Sequence, residues 1–253
     1  MVAGAICASI PGSIRKVSPV EEKIVGVIGG MGPEASVLFY QRLTAATAAG
    51  SDQEHLHVII DSNSKVPDRT ESIREGSSET LDAIVVSARR LQVMGAQIIA
   101  MPCNSAHHWH REIAIRIDAP LIHMIEEVFK SIMDSGQGRV GLLATSGTVS
   151  SSVYTKSSGD VELIVPDEEE QERVHKAIYS IKGTAGQEML DIRADLLEIV
   201  EGLRGRGAEG IILGCTEIPL VIGQEDVRDV PVFDSTQILV EATLREAFSE
   251  SVN

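Results

Sequence analysis

Two stretches of the chain nearly repeat one another: LQVMGAQIIAMPC at residues 91–103 and LRGRGAEGIILGC at residues 203–215. Aligned without a gap, they share Leu91 with Leu203, Gly95 with Gly207, Ala96 with Ala208, Ile99 with Ile211, and Cys103 with Cys215. Each reads as the end of a helix, a turn, and a short buried strand with a cysteine at its far end. The offset is 112 residues, and Gly26 and Gly141, in two other apolar runs, stand 115 apart. Two offsets so alike imply an internal duplication: two α/β halves, each carrying a cysteine at the C-terminal end of a strand.

The rest of the chain alternates in the same way. Residues 24–28 read as a strand, Gly29–Gly32 as a turn, and Pro33 as the first residue of a helix running to about Ala49, since proline costs nothing where the N–H is unpaired. A strand at 57–60 opens into a polar loop over 61–69. A helix at 79–94, a strand at 97–101, a helix at 105–116 and a short strand at 121–123 follow. Residues 140–144 form a strand that ends in the turn Thr145–Thr148. Then come a strand at 161–165, helices at 168–181 and 186–205, strands at 210–213 and 230–233, and a terminal helix. Such alternation means parallel sheets covered on both faces. The expected fold class is α/β, with two pseudo-symmetric parallel-sheet lobes and the active site in the cleft between them. The expected boundaries are a flexible extension at 1–23, a first lobe at 24–136 (Cys103) completed by 234–253, and a second lobe at 137–233 (Cys215).

Composition narrows the function. The 253 residues carry 22 Lys and Arg against 37 Asp and Glu, a net charge of −15. A surface that acidic repels phosphate backbones and anionic lipid, so nucleic acid and membranes are not expected partners. A small anionic substrate is still allowed, because a few basic side chains reverse the potential locally. Aromatic residues make up only 3%, too few for a base-stacking platform. No apolar run approaches the roughly 18–20 residues that span a bilayer. The first segment lacks a basic start and is broken by Ser9, Pro11 and Gly12, unlike a signal peptide. Cys7, Cys103 and Cys215 are too scattered for a disulfide framework or a zinc motif, which fits a reducing cytoplasm.

Ligands of open parallel sheets sit beyond the C-terminal strand ends, where both Cys103 and Cys215 fall. Backbone N–H groups there favour a thiolate, so a lowered thiol pKa is expected. Two lobes facing each other would place one sulfur on each side of a single carbon, a geometry suited to inverting a stereocentre. His107, His108 and His110 follow Cys103 closely; with no fourth ligand at metal spacing, no metal is expected. Gly29–Gly32 is not a GxGxxG motif, so no dinucleotide is expected.

The motifs Gly29-Gly-Met-Gly-Pro-Glu-Ala35, Val66-Pro-Asp-Arg-Thr70, Met101-Pro-Cys-Asn-Ser-Ala-His107, Gly141–Thr148, Ile178-Tyr-Ser-Ile-Lys182 and Gly214-Cys-Thr-Glu-Ile-Pro219 run in one order across residues 24–248. With them the sequence resembles the cofactor-independent aspartate/glutamate racemase family, most nearly its aspartate racemase branch. The resemblance implies an isomerase that needs no cofactor, a small dicarboxylic amino acid as substrate (aspartate first, glutamate second) and a homodimer. It implies Cys103 and Cys215 as the acid–base pair, with Cys103 working on the D-face and Cys215 on the L-face. It implies Arg69 for the distal carboxylate and Lys182 as a second substrate cation. The planar guanidinium suits a carboxylate, and two cations would select a dicarboxylate. Met31 is expected to touch the substrate, and Asn104, Ser105 and Thr216 to hold its α-carboxylate. Glu217, beside Cys215, reads as a substrate-pocket residue that either tunes the thiol or is structural. Rival readings are a broad-specificity amino-acid racemase, another thiol enzyme such as a maleate isomerase, hydantoin racemase or arylmalonate decarboxylase, and a catalytically silent amino-acid-binding protein.

Overall fold

The structure, a computed structural model, describes residues 22–183 and 187–249. Among the described residues, seven strands form two parallel sheets. The first contains β1 (Val25–Gly29), β2 (Val58–Ser62) and β3 (Ile98–Ala100) in the order β2-β1-β3, and Leu121 adds a parallel bridge to Ile99 at its outer edge. The second contains β4 (Arg139–Leu143), β5 (Glu162–Ile164), β6 (Gly210–Leu213) and β7 (Val232–Asp234) in the order β5-β4-β6-β7. The orders match strand for strand once the bridge at Leu121 is set against β7. Cys103 follows β3 and Cys215 follows β6, so the two thiols leave equivalent strands.

The repeated Leu-x-x-x-Gly-Ala motif has a packing reason. It closes α3 (Glu79–Val93) in one half and α9 (Gln187–Gly205) in the other, and each leucine lies against a strand glycine. A Cβ on Gly26 of β1 would come within 2.8 Å of Ala96 Cβ and 3.2 Å of Leu91 Cβ. A Cβ on Gly141 of β4 would come within 2.9 Å of Ile211 Cδ1 and 3.1 Å of Leu203 Cβ. The glycines thus let helix and sheet approach more closely than side chains would allow.

Strand side chains alternate between the faces. On β1, Val25 and Val27 join Phe39 and Leu43 of α1 (Pro33–Ala46), while Ile28 joins Ile84 and Leu91 of α3. On β4, Val140 and Leu142 meet Phe129 of α5 (Met124–Ser135) and Tyr154 of α7 (Val153–Ser157), and Leu143 meets Val174 of α8 (Glu168–Ile181) and Ile199 of α9. Burial of these chains at about 25 cal/mol per Å² is the main stabilising force. The final helix, α10 (Ser235–Ala247), follows β7 of the second sheet, yet its Leu239 and Val240 sit in the cluster of Val25, Phe39 and Leu43.

Several local expectations change. The polar loop over 61–69 ends in a helix, α2 (Arg69–Glu75), because the Asp68 carboxylate caps the Glu71 N–H at 3.0 Å. The helix expected over 105–116 is a 3₁₀ stretch (Ser105–Trp109) followed by α4 (His110–Ala114). The segment before β4, which the alternation leaves unassigned, holds α5. The turn at Thr145–Thr148 becomes α6 (Ser146–Ser150), capped by the Thr145 hydroxyl. The expected strand at 121–123 shrinks to the single bridge at Leu121. The extension expected at 1–23, with Cys7, lies outside the described residues except for Glu22 and Lys23; Lys23 Nζ donates to Glu246 O at 3.2 Å near the end of α10.

Candidate active site

Both thiols line one pocket between the sheets, with walls from each half. The first half contributes Met31 from the glycine turn, Asp68, Arg69 and Thr70 from the start of α2, and Cys103, Asn104 and Ser105 after β3. The second contributes Thr145 and Thr148 from α6, Tyr179 of α8 and Lys182 just beyond it, and Cys215, Thr216 and Glu217 after β6. Every site residue expected from the sequence borders this pocket. The space inside is narrow, with a cavity volume of only about 10 Å³. The halves meet closely at two glycines. A Cβ on Gly147 of α6 would lie 2.6 Å from Thr70 Cα, and one on Gly32 would lie 3.1 Å from Glu217 Oε1.

The surroundings of the two sulfurs differ. Cys103 is buried, with its Sγ 3.6 Å from Ser105 Oγ. Its carbonyl lies 2.9 Å from His107 Nδ1, and His107 Nε2 accepts the Met124 N–H at 3.1 Å. Those partners fix His107 as the neutral Nδ1–H tautomer. Burial, with His123 and His110 adding repulsion, pulls its pKa from 6.5 down to about 3. Cys215 Sγ donates to Glu217 Oε2 at 3.0 Å, and Thr216 Oγ1 donates to the same oxygen at 3.3 Å. Burial first, then the Glu217 charge and hydrogen bond, push the Cys215 thiol well above its ordinary pKa. This corrects the expectation of a lowered value at that strand end: desolvation and an adjacent carboxylate outweigh the backbone N–H groups.

The cations sit at the mouth. Arg69 folds back, with Nη1 donating to Pro67 O at 3.0 Å and Nη2 to Met31 O at 3.1 Å, while its buried Nε has no partner among the described residues. Lys182 Nζ lies 3.9 Å from Glu217 Oε1 and 4.7 Å from the centre of the Tyr179 ring. Tyr179 Oη donates to Asp68 Oδ2 at 2.7 Å across the mouth, joining the halves. Burial raises Asp68, but the Glu71 N–H, the Tyr179 hydroxyl and Arg69 outweigh it and hold the carboxyl below its ordinary value. Burial and Asp68 push Tyr179 up to about 12, against a lowering by Thr70.

Asn104 is more committed than its motif suggests. Tyr154 Oη donates to Asn104 Oδ1 at 2.7 Å, Asn104 Nδ2 donates to Ser235 Oγ at 3.0 Å, and Ser235 Oγ donates to Leu213 O at 2.8 Å. This buried chain runs from the residue after Cys103 to the strand before Cys215. Sequence reasoning missed Tyr154 and Ser235, which carry no local signal. It also missed Asp68 and Tyr179 as pocket residues, although Tyr179 stands one helical turn before Lys182. Trp109, between His108 and His110 in the chain, is buried. Among the described residues no three His, Cys, Asp or Glu are arranged to hold a metal ion, and no helix is long and apolar enough to cross a membrane.

The sequence profile of the Asp/Glu/hydantoin racemase family matches residues 28–243. Among solved structures, the Picrophilus torridus aspartate racemase superposes with a TM-score of 0.79 at 33% identity, covering 89% of this chain and 94% of that one. An aspartate racemase homologue from Pyrococcus horikoshii gives a TM-score of 0.74 at 28% identity, covering 90% of this chain and 100% of its own. A broad specificity amino-acid racemase from Bacillus subtilis is 27% identical over 227 residues, 87% of this chain and 96% of the relative. With the profile spanning both sheets and both cysteine motifs, the chain belongs to the Asp/Glu/hydantoin racemase family.

Proposed function

We propose that the protein inverts the Cα of an acidic amino acid, aspartate first and glutamate second, without a cofactor, with Cys103 and Cys215 as its two acid–base groups. The observation that carries this reading is that both sulfurs border one pocket from equivalent strand ends. A substrate held with its Cα between them loses a proton to a thiolate on one face and takes a proton from the thiol on the other. Cys215, buried against Glu217, keeps its proton and serves as the acid in the resting form. That form turns over the D-enantiomer, with Cys103 as base; the L-enantiomer needs the proton on Cys103 instead.

The Cα–H of an amino acid is only weakly acidic, so the enolate-like intermediate must be stabilised by fixed donors in a dry site. In this reading the backbone N–H groups of Asn104, Ser105 and Thr216 face the α-carboxylate. Arg69 and Lys182 neutralise the distal carboxylate, with Arg69 giving up carbonyl contacts to do so. The narrowness of the pocket supports a pivot of the two lobes, taken as 24–136 with 234–253 and as 137–233. Admission of substrate parts α2 from α6 and breaks the Tyr179–Asp68 bond.

Incubating the reduced protein with L-aspartate, then L-glutamate, in D2O without added cofactor tests the reading. Inversion with deuterium entering Cα is expected. Binding without exchange would make the chain a silent amino-acid-binding protein. Likeness to the broad specificity amino-acid racemase of Bacillus subtilis favours a second reading, a broad substrate range. Neutral amino acids turned over as fast as aspartate would establish that reading and remove the preference for acidic substrates.

A further inference from the structure

A second cavity lies behind the Cys103 turn, at the seam between the halves. Its volume is about 370 Å³. Its lining includes His108, His110, Arg111 and His123 from the first half and Lys156 and Ser157 of α7 from the second. His107, which holds the Cys103 carbonyl, also borders it, so the 3₁₀ turn Ser105–Trp109 is a wall shared with the catalytic pocket.

The composition of this cavity is unusual for the chain. The net charge is −15, yet four of the seven histidines gather here with two cations. Neither Arg111 nor Lys156 makes an ion pair among the described residues, whereas most of the other arginines do. The His107 and His110 rings stack at 5.7 Å, and those of His110 and His123 lie 4.1 Å apart. His123 Nδ1 accepts the Glu126 N–H at 3.3 Å, which leaves its Nε2–H as a donor. His110 Nε2 donates to Leu121 O at 3.0 Å, which leaves Nδ1 to take up a proton. One carboxylate borders the cavity: Glu126, whose Oε1 is 3.9 Å from His123 Nε2.

We propose that this seam cavity is a site for a small phosphate-type oxyanion, free or as a phosphomonoester, held between Arg111 of one half and Lys156 of the other with His108, His110 and His123 as further donors. A tetrahedral oxyanion suits donors converging from three elements, whereas a carboxylate offers only two oxygens. Cations and imidazoles of this kind are ordinary phosphate partners. Burial depresses His108, His110 and His123, with Lys156 and the neighbouring histidines adding repulsion. The carboxylates of Glu112, Glu126 and Glu127 act the other way on these rings. A bound anion favours the protonated rings, so binding strengthens as pH falls from 8 to 6.

The proposal does not rest on the racemase reading, because the test is equilibrium binding and needs no turnover. Calorimetric titration with inorganic phosphate, glycerol 3-phosphate and succinate is carried out on the whole protein and three variants. Arg69→Ala disables the carboxylate clamp of the catalytic pocket; Arg111→Ser and Lys156→Ser change exposed side chains of the seam. The expected result is phosphate binding that persists in Arg69→Ala and weakens about ten-fold in each seam variant. Glycerol 3-phosphate matching inorganic phosphate, or binding more weakly, supports the same oxyanion site and says which source it admits. No phosphate binding to the folded protein overturns the proposal. So does binding that is lost with Arg69 but kept in the seam variants, or succinate binding as tightly as phosphate.

Discussion

Cys103 and Cys215 leave equivalent strands of two sheets with the same strand order, but their neighbours differ in kind. Cys103 faces a serine hydroxyl and is held through its own carbonyl by a neutral histidine; Cys215 keeps its proton and donates a hydrogen bond to a buried glutamate. The strands explain why the sulfurs meet at one pocket. The neighbours explain why the Cys215 thiol is pushed up: it is buried beside the Glu217 carboxylate. The shared strand order sets the frame, and the residue two places beyond each cysteine, Ser105 in one half and Glu217 in the other, sets the difference.

The broadest way to break the comparison is to remove one thiol at a time. Cys103→Ala and Cys215→Ala should each lower inversion of aspartate by about 10³-fold or more, the usual scale for losing an acid–base group. Chiral chromatography of the product measures it, and an undiminished rate in either variant rules out the two-base scheme. Arg69→Ala and Lys182→Ala should raise KM for aspartate by about 10²-fold, the scale of one or two charge-assisted bonds, and affect alanine much less. An equal effect on both substrates would mean that these cations are not reading the distal carboxylate.

The strand glycines sharpen the comparison at the level of packing. Gly26→Ala should cost about 1–3 kcal/mol, as overpacking does, and Gly141→Ala less, because its nearest neighbour is the flexible tip of Ile211. Chemical denaturation of the two variants gives the order. The histidine clamp predicts a pH effect on stability. The native pKa of His107 is about 3 against 6.5 unfolded, so below pH 6.5 the unfolded chain binds the extra proton. The stability this group contributes is present above pH 6.5 and is lost as pH falls toward 3, at up to about 1.4 kcal/mol per pH unit. In His107→Gln that part of the slope should disappear. The smallest expected change is in Glu217→Gln. Without the neighbouring charge, the Cys215 thiolate should form at lower pH, read as a downward move in the midpoint of its alkylation by iodoacetamide when Cys7 and Cys103 are serine.

Much of this was legible because the informative signals are local or repeated. The Leu-x-x-x-Gly-Ala motif recurs because helix and strand must approach closely in both halves, and the cysteines recur because strand ends recur. Capped segments were harder. Arg69 looked like a loop residue because its helix has only seven residues and depends on Asp68 for its start. α5 carries a local signal of its own, since its apolar residues Ile125, Val128, Phe129 and Ile132 recur at helical spacing. The links that join the halves, Tyr154 to Asn104 and Tyr179 to Asp68, span 50 and 111 residues and leave no trace in sequence spacing. The raised Cys215 pKa was missed for a related reason. Proximity to Glu217 was visible, but the burial that makes a carboxylate count was not.

The return of α10 to the first sheet bears on how the protein is made. Leu239, Val240 and Ala247 share one apolar cluster with Val25, Phe39 and Leu43, which lie far earlier in the chain. A ribosome emits that surface first and its cover last. During synthesis the early half stays partly uncovered while the later half is completed, and a nascent chain halted before residue 235 would expose a greasy face suited to a chaperone.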